Sequence, residues 1–242
     1  MVAWTGCSQH KQAKVSVPPP PSISEAQPVP PAKTAPVPPR PKPRDPEEDA
    51  DVFLVSPDAQ PISSETGIAS WYGPPYHNRR GSNGEIYNMH ALTAAHRTLP
   101  LGSIVRVTNL KTGNSTLVRI TDRGPFIEGR IVDLSLAAAK KVDVWQAGLA
   151  KVRVDVLKTP ASIESGGKWA VQIGAFENEH AASKLVGHLS RKYRTAKVLS
   201  FSSPTGDWWV RIRVKDDNKQ RAQEVAQTTQ TNQGAVFLVR LD

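Results

Sequence analysis

The 242-residue sequence predicts a small closed β-barrel followed by a βαββαβ domain, both behind a proline-rich tether. Three observations carry that expectation. Fifteen of the 21 prolines precede Ile62, so the first quarter differs in composition from the rest. Residues 62–160 break into short, alternating, β-branched segments with a single helical stretch, the rhythm of a small barrel. Residues 168–242 instead alternate strand and helix patterns in the split βαβ order.

The N-terminal segment holds the lone cysteine, Cys7, which leaves no partner for an internal disulfide. Trp4-Thr5-Gly6-Cys7 resembles the end of a bacterial lipobox, in which small residues precede a lipidated cysteine; a chance cysteine in a tail is the plain alternative. The basic and apolar regions of a signal peptide are missing before it. Residues 8–61 then run through Pro18-Pro19-Pro20-Pro21, Pro38-Pro39 and the acidic stretch Glu47-Glu48-Asp49-Ala50-Asp51. Such a segment lacks the apolar content to fold and favours polyproline II. At ~3.1 Å per residue it reaches on the order of 100 Å, which suits a spacer better than an SH3-type ligand.

In residues 62–160 the expected strands are Ile68–Tyr72, Ser103–Thr108, Thr116–Ile120 and Val152–Val156, with Lys111-Thr112-Gly113-Asn114 as a turn. Leu134–Val142, built on Ala137-Ala138-Ala139, reads as the helix. After a linker at 161–167, the last domain should place strands at Trp169–Phe176, Ala196–Ser202, Trp208–Val214 and Ala235–Leu241. Helices are expected near Glu179–Tyr193, capped by Asn178, and Lys219–Gln230.

Charge is uneven: net −1 over residues 1–61, +6 over 62–160 and +4 over 161–242. Two basic domains favour an anionic partner such as nucleic acid, a membrane surface or an acidic glycan, although a merely soluble basic surface would look the same. No apolar run approaches the ~18–20 residues that span a bilayer.

Three polar clusters fall at the turns and strand ends of the barrel: Asn83-Gly84-Glu85, Thr93-Ala94-Ala95-His96, and Asp122-Arg123-Gly124-Pro125-Phe126 with Asp133-Leu134-Ser135 behind it. Each has a structural explanation. Glu85 could be a solvated turn residue, His96 a buried hydrogen-bonded side chain, Asp122 half of an ion pair with Arg123 or Arg130, and Asp133 a helix cap. His96 lacks the spaced ligands of a metal site, and no cofactor is implied.

Taken together with Gly67-Ile68-Ala69-Ser70-Trp71-Tyr72-Gly73 and Thr98-Leu99-Pro100-Leu101-Gly102, these segments resemble the rare lipoprotein A family, in the family's order. Thr121 stands where many members have Asn. The resemblance implies a double-psi β-barrel, and Trp169-Ala170-Val171-Gln172-Ile173-Gly174-Ala175-Phe176 is similar to the first strand of a SPOR domain. Trp209-Val210-Arg211-Ile212-Arg213-Val214 is similar to its third strand, with Lys215-Asp216 where Gly-Pro usually follows. It further implies a septal outer-membrane lipoprotein anchored through Cys7, whose partner is peptidoglycan glycan stripped of stem peptides. The implied activity is lytic transglycosylation: one carboxyl group acts as acid and then base, and the muramoyl 6-hydroxyl closes a 1,6-anhydro ring. Asp133 matches the catalytic aspartate of a related barrel, that of membrane-bound lytic transglycosylase A, and Asp122 competes for the role. Glu85, His96 and Asp122 would position sugar and stabilise positive charge.

Two other readings remain. A non-catalytic, expansin-like wall binder shares the fold. RNA binding fits the βαββαβ order and the charge, but the strands lack the aromatic-rich RNP pattern, so no nucleic acid is expected. For the last domain, alternation puts Trp208, Val210, Ile212 and Val214 beneath the helices. It leaves Trp209, Arg211 and Arg213 on the open face with Gln172 and Phe176, to stack on sugar and pair with lactyl carboxylates.

Overall fold

The computed structural model describes residues 55, 56, 59–203, 206–229, 231 and 234–242. Cys7 and nearly all of the proline-rich tether lie outside the described residues. Six strands close a barrel: β1 (Ser63–Trp71), β2 (Thr93–His96), β3 (Ile104–Asn109), β4 (Ser115–Asp122), β5 (Arg130–Leu134) and β6 (Ala150–Lys158), in the order β1-β5-β2-β4-β3-β6. The β1–β5 and β2–β4 pairs are parallel and the other four antiparallel, so closure leaves no free edge. Alternation decides what fills it: Val105 and Val107, Val118 and Ile120, Val132 and Leu134, and Val152, Val154 and Val156 all point into one buried core.

Two local expectations need correction. The helix is shorter than predicted, α1 (Leu136–Lys141), and the residues before it form β5. Asp133 therefore sits in a strand and caps nothing; Ser135 is the cap, its hydroxyl accepting from Ala138 N. The alanine run spreads a helical signal upstream, whereas cross-strand pairing to β1 and β2 decides the backbone at 130–134. β2 was not expected as a strand, because Ala94 and Ala95 are weak strand formers. Their small size is what lets a short strand pass, fully buried, between β4 and β5.

The second domain has a four-stranded antiparallel sheet, order β10-β7-β9-β8, from β7 (Trp169–Phe176), β8 (Lys197–Ser202), β9 (Trp208–Arg213) and β10 (Ala235–Arg240). Helices α2 (Glu179–Lys192) and α3 (Lys219–Thr228) lie on one face, capped by Asn178 and Asn218. Val210, Ile212 and Val214 are buried beneath them and Trp208 packs against that core, as alternation predicts. Phe176 departs from its expected face. An extra residue, Ala175, shifts the β7–β9 register between Gly174 and Phe176 and turns the ring into the helix-covered core. No helix among the described residues is long and apolar enough to cross a membrane.

The helix-free face of this sheet is not open: it packs on the barrel. Arg240 N donates to Arg97 O (2.9 Å), and Leu101 N (3.2 Å) and Arg123 Nη2 (2.5 Å) both donate to Asp242 O. The Phe126 ring from the barrel meets Trp209 (5.3 Å) and Phe237 (5.8 Å).

Candidate active site

A cavity of about 530 Å³ lies between the barrel and the helix-free face of the sheet. Tyr72, Asp122 and Asp133 line it from the barrel; Gln172, Trp209 and Arg211 line it from the sheet. The barrel's share comes from neighbouring strand ends. Tyr72 follows β1, Asp122 ends β4, and Asp133 lies in β5 opposite Ser70 and Ala95.

The two aspartates differ in surroundings. Asp122 Oδ1 accepts from Ser82 N (2.9 Å), Ser82 Oγ (2.5 Å) and Arg123 N (2.8 Å). Three donors thus converge on one oxygen and fix the side chain in place. Asp133 has a single strong partner, Arg130 Nη2, on Oδ2 (2.7 Å), and its Oδ1 is buried without a hydrogen bond among the described residues. Burial pushes the Asp133 carboxyl above the usual carboxylate range, against the opposing pull of Arg130 and Arg97. The expected ion pair with Arg130 thus exists, but on Asp133.

Tyr72 belongs to the Gly67–Gly73 motif, and its ring is central to the cavity. It stacks on Tyr87 (4.3 Å), and burial, reinforced by the charges of Asp122 and Asp133, pushes its phenol well above the usual range. Its buried hydroxyl has no well-formed hydrogen bond among the described residues. A hydroxyl of this kind beside two carboxyl groups is a signal that only the folded arrangement reveals.

Glu85 and His96 are not part of the cavity lining. Glu85 is held by Arg119, whose Nη1 (3.2 Å) and Nη2 (3.0 Å) donate to its two oxygens. The ring of His96 is buried; its Nδ1 accepts from Thr98 N (3.2 Å) and Leu99 N (3.1 Å), and its Nε2 faces Glu65 Oε2 (3.3 Å). Burial lowers the His96 pKa, and the bond from His96 lowers that of Glu65. Alternation along β2 explains the placement, since it is Ala95 that faces the cavity. Both residues hold the wall behind the cavity lining.

On the sheet, Arg211 gives Nη2 (2.7 Å) and Nε (3.3 Å) to Gln172 Oε1 and lies over the Phe201 ring (4.7 Å). Trp209 lies flat on the neighbouring strand, where a Cβ on Gly174 would come within 2.3 Å of the indole. Arg213 is elsewhere: it is half-exposed, outside the cavity lining, and paired with Asp217 (2.7 and 2.9 Å). Phe176, in the core, has no part in the site. Among the described residues no group of three or more His, Cys, Asp or Glu could hold a metal ion.

Comparison with known proteins follows the same division. Residues 64–154 match a family described as lytic transglycolase, and residues 165–240 match the SPOR domain. The chain is 42% identical over 160 residues to the endolytic peptidoglycan transglycosylase RlpA of Helicobacter pylori strain J99, a match covering 54% of this chain and 51% of that protein. It is 41% identical over 149 residues to the protein of the same name from Vibrio cholerae, covering 59% and 57%. The chain thus spans about half the length of the curated relatives it matches. A solved expansin from Clavibacter michiganensis is 15% identical, with a TM-score of 0.32, covering 64% of this chain and 81% of that one.

Proposed function

From its membership of the rare lipoprotein A family, we propose that this chain is an endolytic peptidoglycan lytic transglycosylase that cuts the β-1,4 bond after muramic acid in peptide-poor glycan. One observation carries the assignment of roles: Oδ1 of Asp133 faces the cleft buried and without a hydrogen bond among the described residues, and burial raises the pKa of this carboxyl. A pKa raised by burial is a shift in the direction that general-acid catalysis requires.

Asp133 gives its proton to the glycosidic oxygen as the anomeric C–O bond breaks. The resulting carboxylate then takes the proton of the muramoyl 6-hydroxyl as that oxygen bonds to the anomeric carbon. No water is consumed, the product is a 1,6-anhydro end, and Asp133 finishes protonated. Asp122, held in place by three donors, stabilises the positive charge that develops on the sugar. Trp209, Gln172 and Arg211 bind the glycan, while Arg213 is tied to Asp217. Lipidation at Cys7 would hold the protein on the outer membrane, with the tether spanning to septal wall.

Soluble peptide-free strands incubated with the purified chain, with the ends identified by mass spectrometry, test this reading. Anhydro ends should form, and Asp133→Asn should slow them by about 10²–10⁴-fold. Reducing ends would mean hydrolysis. Binding without any cleavage would favour the expansin-like, non-catalytic reading.

A further inference from the structure

The docked sheet raises a question that the two domains taken separately do not. Resting on the reading above, we propose that the sheet is half of the cutting site: Gln172, Trp209 and Arg211 form a subsite, in the same cleft as Asp133, for the muramic acid next to the scissile bond. Arg211 pairs with the free lactyl carboxylate of that sugar.

Continuity of the cavity is the first support, because residues from both domains line one space. A space of about 530 Å³ lies within the range of roughly 300–1,000 Å³ typical of small-ligand sites, on the scale of a short oligosaccharide segment. The aromatic contact is the second. Gly174 lets the Trp209 indole lie flat on the sheet, and Phe126 of the barrel packs against it. A sugar ring stacked on Trp209 therefore also lies beside the barrel segment that begins with Asp122.

Charge is the third support. Arg119, Arg130 and Arg213 each have a carboxylate partner. Arg211 has none among the described residues; the neutral Gln172 and the Phe201 ring orient it. Burial depresses its pKa, and its charge adds to the depression at Arg123, which burial brings down to about 10. A guanidinium with no carboxylate partner among the described residues, facing a partly desolvated cleft, favours an anionic ligand. Arg123 is already engaged with His96 O, Leu99 O and Asp242 O, which leaves Arg211 to meet the ligand. A lactyl group joined to a stem peptide is an amide and forfeits that ion pair. Selection for peptide-free strands would then occur at the bond being cut, not at a separate anchoring site.

The probe is a peptide-free tetrasaccharide of alternating N-acetylglucosamine and N-acetylmuramic acid, compared with the same molecule after conversion of its lactyl carboxylates to methylamides. Calorimetry on the whole chain carrying Asp133→Asn should give one site per chain. Arg211→Gln should weaken the free-acid form by about tenfold or more and the methylamide form by much less. Arg211→Lys, which keeps the charge, should recover part of the loss. In chains that retain Asp133, Arg211→Gln should raise KM for the free acid and abolish discrimination between the two forms.

An unchanged KM on the tetrasaccharide, with loss of binding only to intact wall, would make the sheet a separate anchor and overturn the proposal. Faster cleavage by Trp209→Ala would overturn it too, since the sheet would then be a lid. If the unaltered chain cuts neither form, the assigned activity falls, and the calorimetry still decides the subsite.

Discussion

Replacing His96 separates a residue that touches sugar from one that holds the wall. Its Nδ1 accepts two backbone N–H groups, Thr98 and Leu99, so that nitrogen is bare and Nε2 carries the hydrogen facing Glu65. His96→Ala leaves both donors without their acceptor in a buried place. Each stranded donor costs about 1–3 kcal/mol, so the pair costs about 2–6 kcal/mol before any loss of packing. For a domain of this size each kcal/mol lowers Tm by about 4–8 °C, so a fall of at least roughly 8 °C is expected. His96→Asn should restore most of it, because Oδ1 of asparagine is as many bonds from Cα as Nδ1 of histidine and accepts in its place. Thermal melts by circular dichroism, with cleavage normalised to folded protein, measure both effects.

The pH dependence has a definite sign. Burial puts the folded pKa of His96 below the ordinary 6.5, so the folded state takes up this proton less readily than the unfolded one. The stabilising contribution is present above about pH 6.5 and is lost as pH falls through that value towards the folded pKa. His96→Asn should flatten this part of the stability profile. A fully folded His96→Asn that cuts glycan a hundredfold more slowly would refute the reasoning, as would a His96→Ala that melts like the unaltered chain.

Further expectations concern neighbouring side chains. Ser135→Ala removes the α1 cap and a 2.6 Å bond to Ala91 O, and should cost about 1–2 kcal/mol in a denaturant titration. Tyr72→Phe should not lower Tm, because a buried hydroxyl without a good partner carries a desolvation penalty, yet it should slow cleavage if that hydroxyl meets substrate; the two readouts together separate these roles. Arg130→Gln removes the cation at 2.7 Å from Asp133, so the carboxyl should hold its proton to higher pH. The alkaline limb of kcat/KM should then move up, and a downward shift would exclude Asp133 as the acid.

What the sequence made legible follows from the range of each interaction. The inward valines of β3, β4 and β6 and the cap at Asn178 depend on neighbours a few residues away, and those were the parts read best. β2 was missed because two alanines become a strand only when partners on both sides supply the hydrogen bonds. Phe176 was put on the wrong face because one extra residue breaks a two-residue period, and no pattern within β7 announces it. Asp133 was identified by motif but misplaced at a helix end, since the alanine run is local and the pairing to Ser70 and Ala95 is not. The partners of Arg119, Arg130 and Arg213 range from three to 34 residues away, and spacing alone does not choose among so many basic and acidic groups.

The segment from Asp122 to Phe126 shows why a short motif can matter to both domains. Asp122 turns its carboxylate into the cleft, fixed there by Ser82 and by the backbone of Arg123. Arg123 turns the other way: its guanidinium bonds two barrel carbonyls, His96 O and Leu99 O, and one beyond the sheet's last strand, Asp242 O. Planar donors aimed in several directions suit arginine, and a lysine could not serve all three at those positions. Phe126 then meets Trp209. Five consecutive residues thus place a carboxyl group in the cleft, clamp the sheet on the barrel and set the aromatic surface beside it. Any change that loosens Arg123 moves the sheet and Asp122 together, so cleavage and glycan binding should respond as one property.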